Sequence, residues 1–184
     1  MRKIKKVVKR VERGEIMRVF IENNRIKLVL TREHDLDFVM TSEADDENND
    51  YVGQWTIDKH RAALTDEDML HLVVENTKND LVGYVIIRGV KNPNDSIELM
   101  RIVVTAKRKG YGSEILKLVK KWCFEIHNAN RLWLDVVEYN VRAQNLYKSQ
   151  NFVCEGVLRE CEKFENIYHS LIIMSILKKE YQLQ

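Results

Sequence analysis

The chain is 184 residues long and 45% apolar, with a formal net charge of +2. That is length for one well-filled domain, and the near-neutral balance argues against nucleic acid as a partner by bulk charge. Cys123, Cys154 and Cys161 have the spacing of neither a zinc site nor a redox pair. With no secretory leader and no apolar run of about 20 residues, the expectation is a reduced, cytoplasmic protein without a membrane partner.

Residues 1–15 stand apart. Seven cations from Arg2 to Arg13 surround Ile4, Val7, Val8 and Val11 at helical spacing, which reads as a basic amphipathic extension. Charge runs are usually solvation. This one suits a face packed on the domain or on a second subunit, as in a homodimer, better than an RNA-docking arm. The remaining residues, 16–184, read as one domain. Residues 16–21 and 25–30 look like strands joined at Glu22-Asn23-Asn24. Thr31, with Glu33 close behind, can cap a helix through Leu36, Phe38, Val39 and Met40. An acidic loop follows at 43–50, then a short helix after Thr56 carrying Ile57, His60, Ala63 and Leu64. A meander comes next, with strands at 69–74, 81–88 and 97–104 and the only proline, Pro93, in its second turn. After a glycine-containing loop, Ile115, Leu118, Val119, Trp122 and Ile126 form a helical stripe. A strand at 131–137, a helix at 141–150 and strands at 152–158 and 170–177 complete the chain.

A single helix joins the strands at 97–104 and 131–137, so those two are expected to be parallel and adjacent. The class is α+β, with a mixed, mostly antiparallel sheet of about six or seven strands and about four helices.

The loop Lys107-Arg108-Lys109-Gly110-Tyr111-Gly112-Ser113 lies between that strand and helix. The first amides of a helix lack intrahelical acceptors, and the macrodipole makes that end positive. Two glycines let backbone approach an anion, and three cations raise the potential. Neither a Walker loop nor a dinucleotide fingerprint fits, because Gly-Lys-Ser/Thr and a third glycine are both missing.

Three pieces together identify a resemblance to the GNAT family of N-acetyltransferases, over roughly residues 25–178 and most clearly from Glu98 to Leu177. Lys107 to Gly112 is similar to the family's Arg/Gln-x-x-Gly-x-Gly/Ala acetyl-CoA loop. Asn140 to Phe152 resembles its Asn-x-x-Ala-x-x-Leu-Tyr-x-x-x-Gly-Phe segment. Glu155 to Glu160 is similar to the branch acting on ribosomal-protein N-termini and polyamines. There are two departures. Lys107 replaces Arg or Gln, losing the fork, and Asn151 replaces Gly, where Asn tolerates left-handed angles.

The resemblance implies acetyl-CoA as cosubstrate, no metal, and a splayed gap between the two parallel strands. It implies backbone of Ile102, Val103 and Val104 along the pantetheine arm. Lys107, Arg108, Lys109, Gly110, Tyr111, Gly112 and Ser113 would hold the pyrophosphate, and Asn140, Ala143, Asn145, Tyr147 and Lys148 would line the rest. A phenol stays protonated at neutral pH, so Tyr147 is expected to protonate the leaving sulfur. An alkylammonium must lose a proton before it attacks. Glu98 is the first candidate base and Glu138 the second, either directly or through water. His34, His60 and His71 are read as packing residues. The carboxylates of loop 43–50 would favour a small cationic amine or a protein N-terminus. The alternative to an enzyme is an acyl-CoA-binding sensor, or an RNA- or ribosome-associated module, on the same fold.

Overall fold

The computed structural model describes residues 11–12, 15–16, 19–164 and 166–183. Strands β1 (Val11–Glu12) and β2 (Glu15–Ile16) pair antiparallel with each other, so this part of the expected N-terminal helix is extended. Its first ten residues lie outside the described residues.

The meander forms because runs of β-branched and aromatic residues alternate with Asn/Asp/Gly turns. Strands β3 (Val19–Glu22), β4 (Ile26–Leu30), β5 (Met69–Asn76), β6 (Leu81–Arg88) and β7 (Ser96–Val104) follow one another antiparallel. β8 (Arg131–Val137) runs parallel to β7, and β10 (Ile167–Leu177) pairs antiparallel with both β8 and β9 (Val153–Phe164). The sheet therefore has eight strands, ordered β3-β4-β5-β6-β7-β8-β10-β9. The expected parallel neighbours are confirmed.

Helices α1 (Leu36–Ala44) and α2 (Ile57–Thr65) cover one face, over a core of Val29, Val39, Trp55, Ala63, Val73, Tyr84, Ile86 and Val103. Helix α3 (Tyr111–Lys121) lies on the other face with Ile115, Leu118 and Val119 buried, and α4 (Val141–Ser149) adds Tyr147 there. The four-residue α5 (Lys178–Tyr181) follows β10.

Three local expectations fail for physical reasons. Thr31 does not cap α1. Its hydroxyl bonds His71 Nδ1 at 2.9 Å, and Asp35 Oδ2 instead accepts from the Arg32 amide at 2.8 Å across a 3₁₀ turn. The α3 stripe stops at Trp122, because the helix widens to a π turn over Trp122–Ile126. That turn buries Cys123 and Phe124 and leaves Ile126 exposed. β9 runs on to Phe164 although 159–163 lacks apolar alternation. The strand is exposed throughout, so no core constrains its pattern.

β7 is the element that shapes the site. Its pairing with β6 slips at Met100, which lies between the pairs Leu99↔Ile87 and Arg101↔Ile86. A bulge of this kind bends a strand and increases its twist. Pairing with β8 ends at Glu98↔Trp133, although both strands continue. The two strands part there, giving the expected splayed gap.

Candidate active site

From Leu99 to Val104 the β7 edge toward β8 is unpaired. Ile102, Val103 and Val104 keep their other edge on Val85, Tyr84 and Gly83. Beyond β7 the loop turns into α3, with Arg108 (φ 61°) and Gly110 (φ 78°) both left-handed. Gly110 occupies the N-cap position without a side-chain cap, so the amides of Tyr111, Gly112 and Ser113 have no partner from the preceding loop side chains. A Cβ on Gly112 would lie 2.9 Å from Leu146 Cδ2, so any larger residue there would have to displace the Leu146 side chain where the start of α3 meets α4.

The loop is clamped from the opposite side of the sheet order. Arg25 donates to the Lys109 carbonyl at 2.9 Å and lies 3.9 Å from Glu114, while Asn23 donates to Glu114 at 2.9 Å. Arg108 and Lys109 are exposed. The Lys107 ammonium bonds the side-chain oxygen of buried Asn48, in the acidic loop. Burial lowers its pKa, and nearby Arg142 lowers it further. Tyr139 donates to the Asp50 carbonyl at 2.8 Å. The acidic loop is thus tied both to the β7–α3 loop and to the turn after β8.

Asn140 is the N-cap of α4, its Oδ1 accepting from the Ala143 amide at 3.0 Å. Half-buried Ala143 packs against the core, and Asn145 and Lys148 are exposed. Asn151 adopts φ 66°, which is how it replaces the expected glycine, and Phe152 N–H closes back on the Tyr147 carbonyl at 3.0 Å. Tyr147 is 6% exposed, with its ring centroid 6.0 Å from that of Phe152. Among the described residues its hydroxyl has no hydrogen-bond partner, yet it is not sealed from solvent. Burial raises its pKa, and the Asp135 carboxylate adds to the effect, so the phenol holds its proton.

The carboxylates divide into three environments. Glu98 is buried at the last β7–β8 pair, and its Oε2 accepts from Arg88 at 2.8 and 2.6 Å. Glu138 is exposed and accepts from the Ser170 amide at 3.4 Å. Asp135, on the β8 segment that has left β7, is exposed at its side chain, between buried Leu134 and Val136. Burial lifts its pKa to about 6, with Glu98 and Glu162 reinforcing and Arg88 opposing. The sequence reading missed Asp135. Its signal was a lone charge inside Trp133-Leu134-Asp135-Val136-Val137.

The acidic loop needs a correction. Asp45, Asp46, Glu47 and Asp50 are exposed, but Glu43 belongs to α1 and is 1% exposed. Its carboxylate accepts from Tyr84 Oη (2.5 Å), the Trp55 amide (2.9 Å) and Arg101, and lies 3.2 Å from His60 Nε2. His60 Nδ1 meets His71 Nε2 at 3.1 Å. Burial, and then His60, push the His71 pKa down to about 3. His60 and His71 are interior, as expected of packing residues, whereas His34, expected to pack as well, is exposed.

A sequence profile of the acetyltransferase (GNAT) family matches residues 33–152. A spermidine N(1)-acetyltransferase of Vibrio cholerae is 28% identical over 110 residues, which is 59% of this chain and 64% of that protein. A Vibrio cholerae spermidine N-acetyltransferase crystallised with CoA and spermine has a TM-score of 0.78 at 23% identity, covering 87% of this chain and 99% of the other. A dodecameric form of that enzyme gives 0.73 at 23% identity, covering 86% and 97%. The solved structures share the overall fold described above. With the profile spanning well over half of the sequence, the chain belongs to the acetyltransferase (GNAT) family.

Proposed function

We propose that the protein is an acetyl-CoA-dependent N-acetyltransferase that modifies a primary amine of a small polycation of the polyamine class, by direct transfer with Tyr147 as general acid. The observation that carries this is the Tyr147 hydroxyl: a phenol on a buried ring, held protonated and, among the described residues, without a hydrogen-bond partner.

The cosubstrate supplies an acetyl group activated as a thioester, and the residues present fit it. The α3 amides, left-handed Gly110 and the side-chain-free space at Gly112 suit a pyrophosphate. The open β7 edge at Ile102 to Val104 suits an extended amide-bearing arm. Arg108 and Lys109 add positive potential at the loop, whereas Lys107 acts on the acidic loop and orders it. Asn140 serves the site by fixing α4, hence Tyr147. Asn145 and Lys148, exposed on α4, remain available to the bound arm.

The amine must be cationic in solution and neutral at attack. Asp45, Asp46, Glu47 and Asp50 draw cations to the mouth, and the named relatives act on spermidine or bind spermine. A polyamine suits these carboxylates better than a protein N-terminus with one charge. Self-association belongs to the same reading. β9 and β10 expose Val157, Leu158, Phe164 and Tyr168, and one neighbour is dodecameric.

Acetyl-CoA incubated with a mixed panel of polyamines, aminosugars and peptides, read by mass, tests the reading. Spermidine-class products are expected. Tyr147→Phe should lower kcat by roughly 10²- to 10⁴-fold while leaving CoA affinity and melting temperature in place. Tight CoA binding with no amine acetylated would favour a sensor instead.

A further inference from the structure

Asp135 occupies a place that neither the motifs nor the pairing pattern explains. β8 is apolar on the α3 side, with Leu132, Leu134 and Val136 all buried. On the other face its register partners set the neighbours: Trp133 opposite Glu98, and Asp135 opposite Ile173 of β10. Asp135 is therefore two residues past the last β7–β8 pair, inside the splayed gap. Among the described residues its carboxylate has neither a hydrogen-bond nor an ion-pair partner.

The groups that face it come from every neighbouring element. Glu98 approaches from β7, Glu162 from β9 and Arg88 from β6, and the Tyr147 phenol lies within its field from α4. Arg88 is already committed to Glu98. The second, independent feature is Tyr147 itself, a polar side chain more than nine-tenths buried whose hydroxyl has no hydrogen-bond partner among the described residues. An unpartnered acid and an unpartnered carboxylate face one gap.

We propose that Asp135 receives the proton of the acceptor ammonium, with exposed Glu162 beside it to hold a remaining positive charge of a polyamine. This rests on the acetyltransfer reading and assigns its base to Asp135, which displaces Glu98 because the Glu98 carboxylate is occupied by Arg88. The step balances. One ammonium proton moves to the Asp135 carboxylate, and the freed nitrogen pair forms the C–N bond. The C–S electrons leave on sulfur, which takes the Tyr147 phenolic proton. The phenolate recovers a proton from the new amide nitrogen, and Asp135 releases its own to water. One proton is liberated per turnover. A carboxylate titrating near neutrality suits this role, since a base works best with a pKa close to the working pH.

Two measurements decide it, with spermidine as the probe. In the pH profile of kcat/KM, the wild type should show an acid limb near 6. Asp135→Asn should lose that limb and fall roughly 10²- to 10⁴-fold at neutral pH, with CoA affinity unchanged by calorimetry. Independently, carbon-13 NMR of the Asp135 carboxyl in the dead-end complex with CoA should show its pKa drop when spermidine is added. An Asp135→Asn enzyme within threefold of wild type with the limb intact, or a carboxyl that does not respond to spermidine, overturns the proposal. A wild type that acetylates no amine at all would sink the acetyltransfer reading, and the NMR titration would still decide whether Asp135 receives a polyamine.

Discussion

Glu43→Gln is the substitution with the largest consequence readable from the structure. The side chain is 1% exposed and gathers Tyr84, the Trp55 amide, Arg101 and His60 around one carboxylate. Arg101 is itself 9% exposed and stacks on Trp55, 4.6 Å from its ring. An amide in place of the carboxylate keeps the volume but leaves the guanidinium buried without a counter-charge. It also turns two N–H donors toward groups that are donors already. Breaking a buried pair from one side costs about 3–5 kcal/mol. Titration gives a second route to the magnitude. Burial raises the Glu43 pKa, but His60 at 3.2 Å, the Tyr84 hydrogen bond, the Arg101 charge and the Trp55 amide outweigh it, and the result is about 2 against 4.5. That difference is worth roughly 3 kcal/mol. A depressed carboxylate pKa contributes stability that is present above the unfolded value and lost as pH falls through the folded one. Wild-type stability should therefore drop between about pH 4.5 and 2, and that part of the drop should be missing in Glu43→Gln. Urea denaturation at pH 7 and pH 3.5 measures both, and an unchanged m-value is expected. A loss under about 1 kcal/mol at pH 7, or an acid dependence identical to wild type, would refute the reasoning. Removing both charges, as in Glu43→Leu with Arg101→Met, should cost less than Glu43→Gln alone.

Gly83→Ala would place a Cβ 2.3 Å from the Val103 carbonyl oxygen, a backbone atom that cannot swing away. It should cost about 1–3 kcal/mol in urea denaturation and weaken CoA binding, because β7 must shift. Arg25→Ala should raise the CoA Kd roughly tenfold by calorimetry with kcat retained, since a charge-assisted hydrogen bond of about 1.5 kcal/mol holds the Lys109–Gly110 peptide. Fixing that carbonyl outward turns the Gly110 N–H the opposite way. Asn140→Ala should lose about 1 kcal/mol of stability with the α4 cap, and kcat should fall with it as Tyr147 loosens.

What the sequence disclosed was local or strongly periodic. The β7–α3–β8 crossover was legible because one helix between two apolar runs admits a single arrangement. Asn151 could be read as a left-handed stand-in for glycine because that constraint is carried by one residue. The misreadings share another cause: they depend on pairs distant along the chain. Glu43 looked like the first of five solvated acids, and only the approach of Tyr84 and Arg101, 41 and 58 residues away, makes it interior. The pairing of Glu98 with Arg88, its partner across the hairpin, was likewise invisible until the register was known. Thr31 looked like a cap because nothing nearby announced His71. Ile126 fell off the α3 stripe through one π turn, which shifts the register without a sequence mark.

The slot for the cosubstrate is a fault in a sheet, and a fault must be held open. Two parallel strands that begin in register, Ser96↔Arg131 to Glu98↔Trp133, would by default go on pairing. β7 is drawn away by contacts on its other edge and on the α1–α2 face. The bulge at Met100 bends it, and Gly83 lets the Val103 carbonyl approach β6 to a distance that excludes any side chain. Arg101, next along the strand, is anchored through Glu43 to α1. None of these residues belongs to the loop or the α4 segment that identify the family. In the proposed function the motif residues would place the phosphates and the phenol, while the bulge, Gly83 and the Glu43–Arg101 contact would decide whether there is a gap for the acyl arm to enter. Substitutions that let β7 relax toward β8 should therefore abolish CoA binding even with every residue from Lys107 to Ser113 intact.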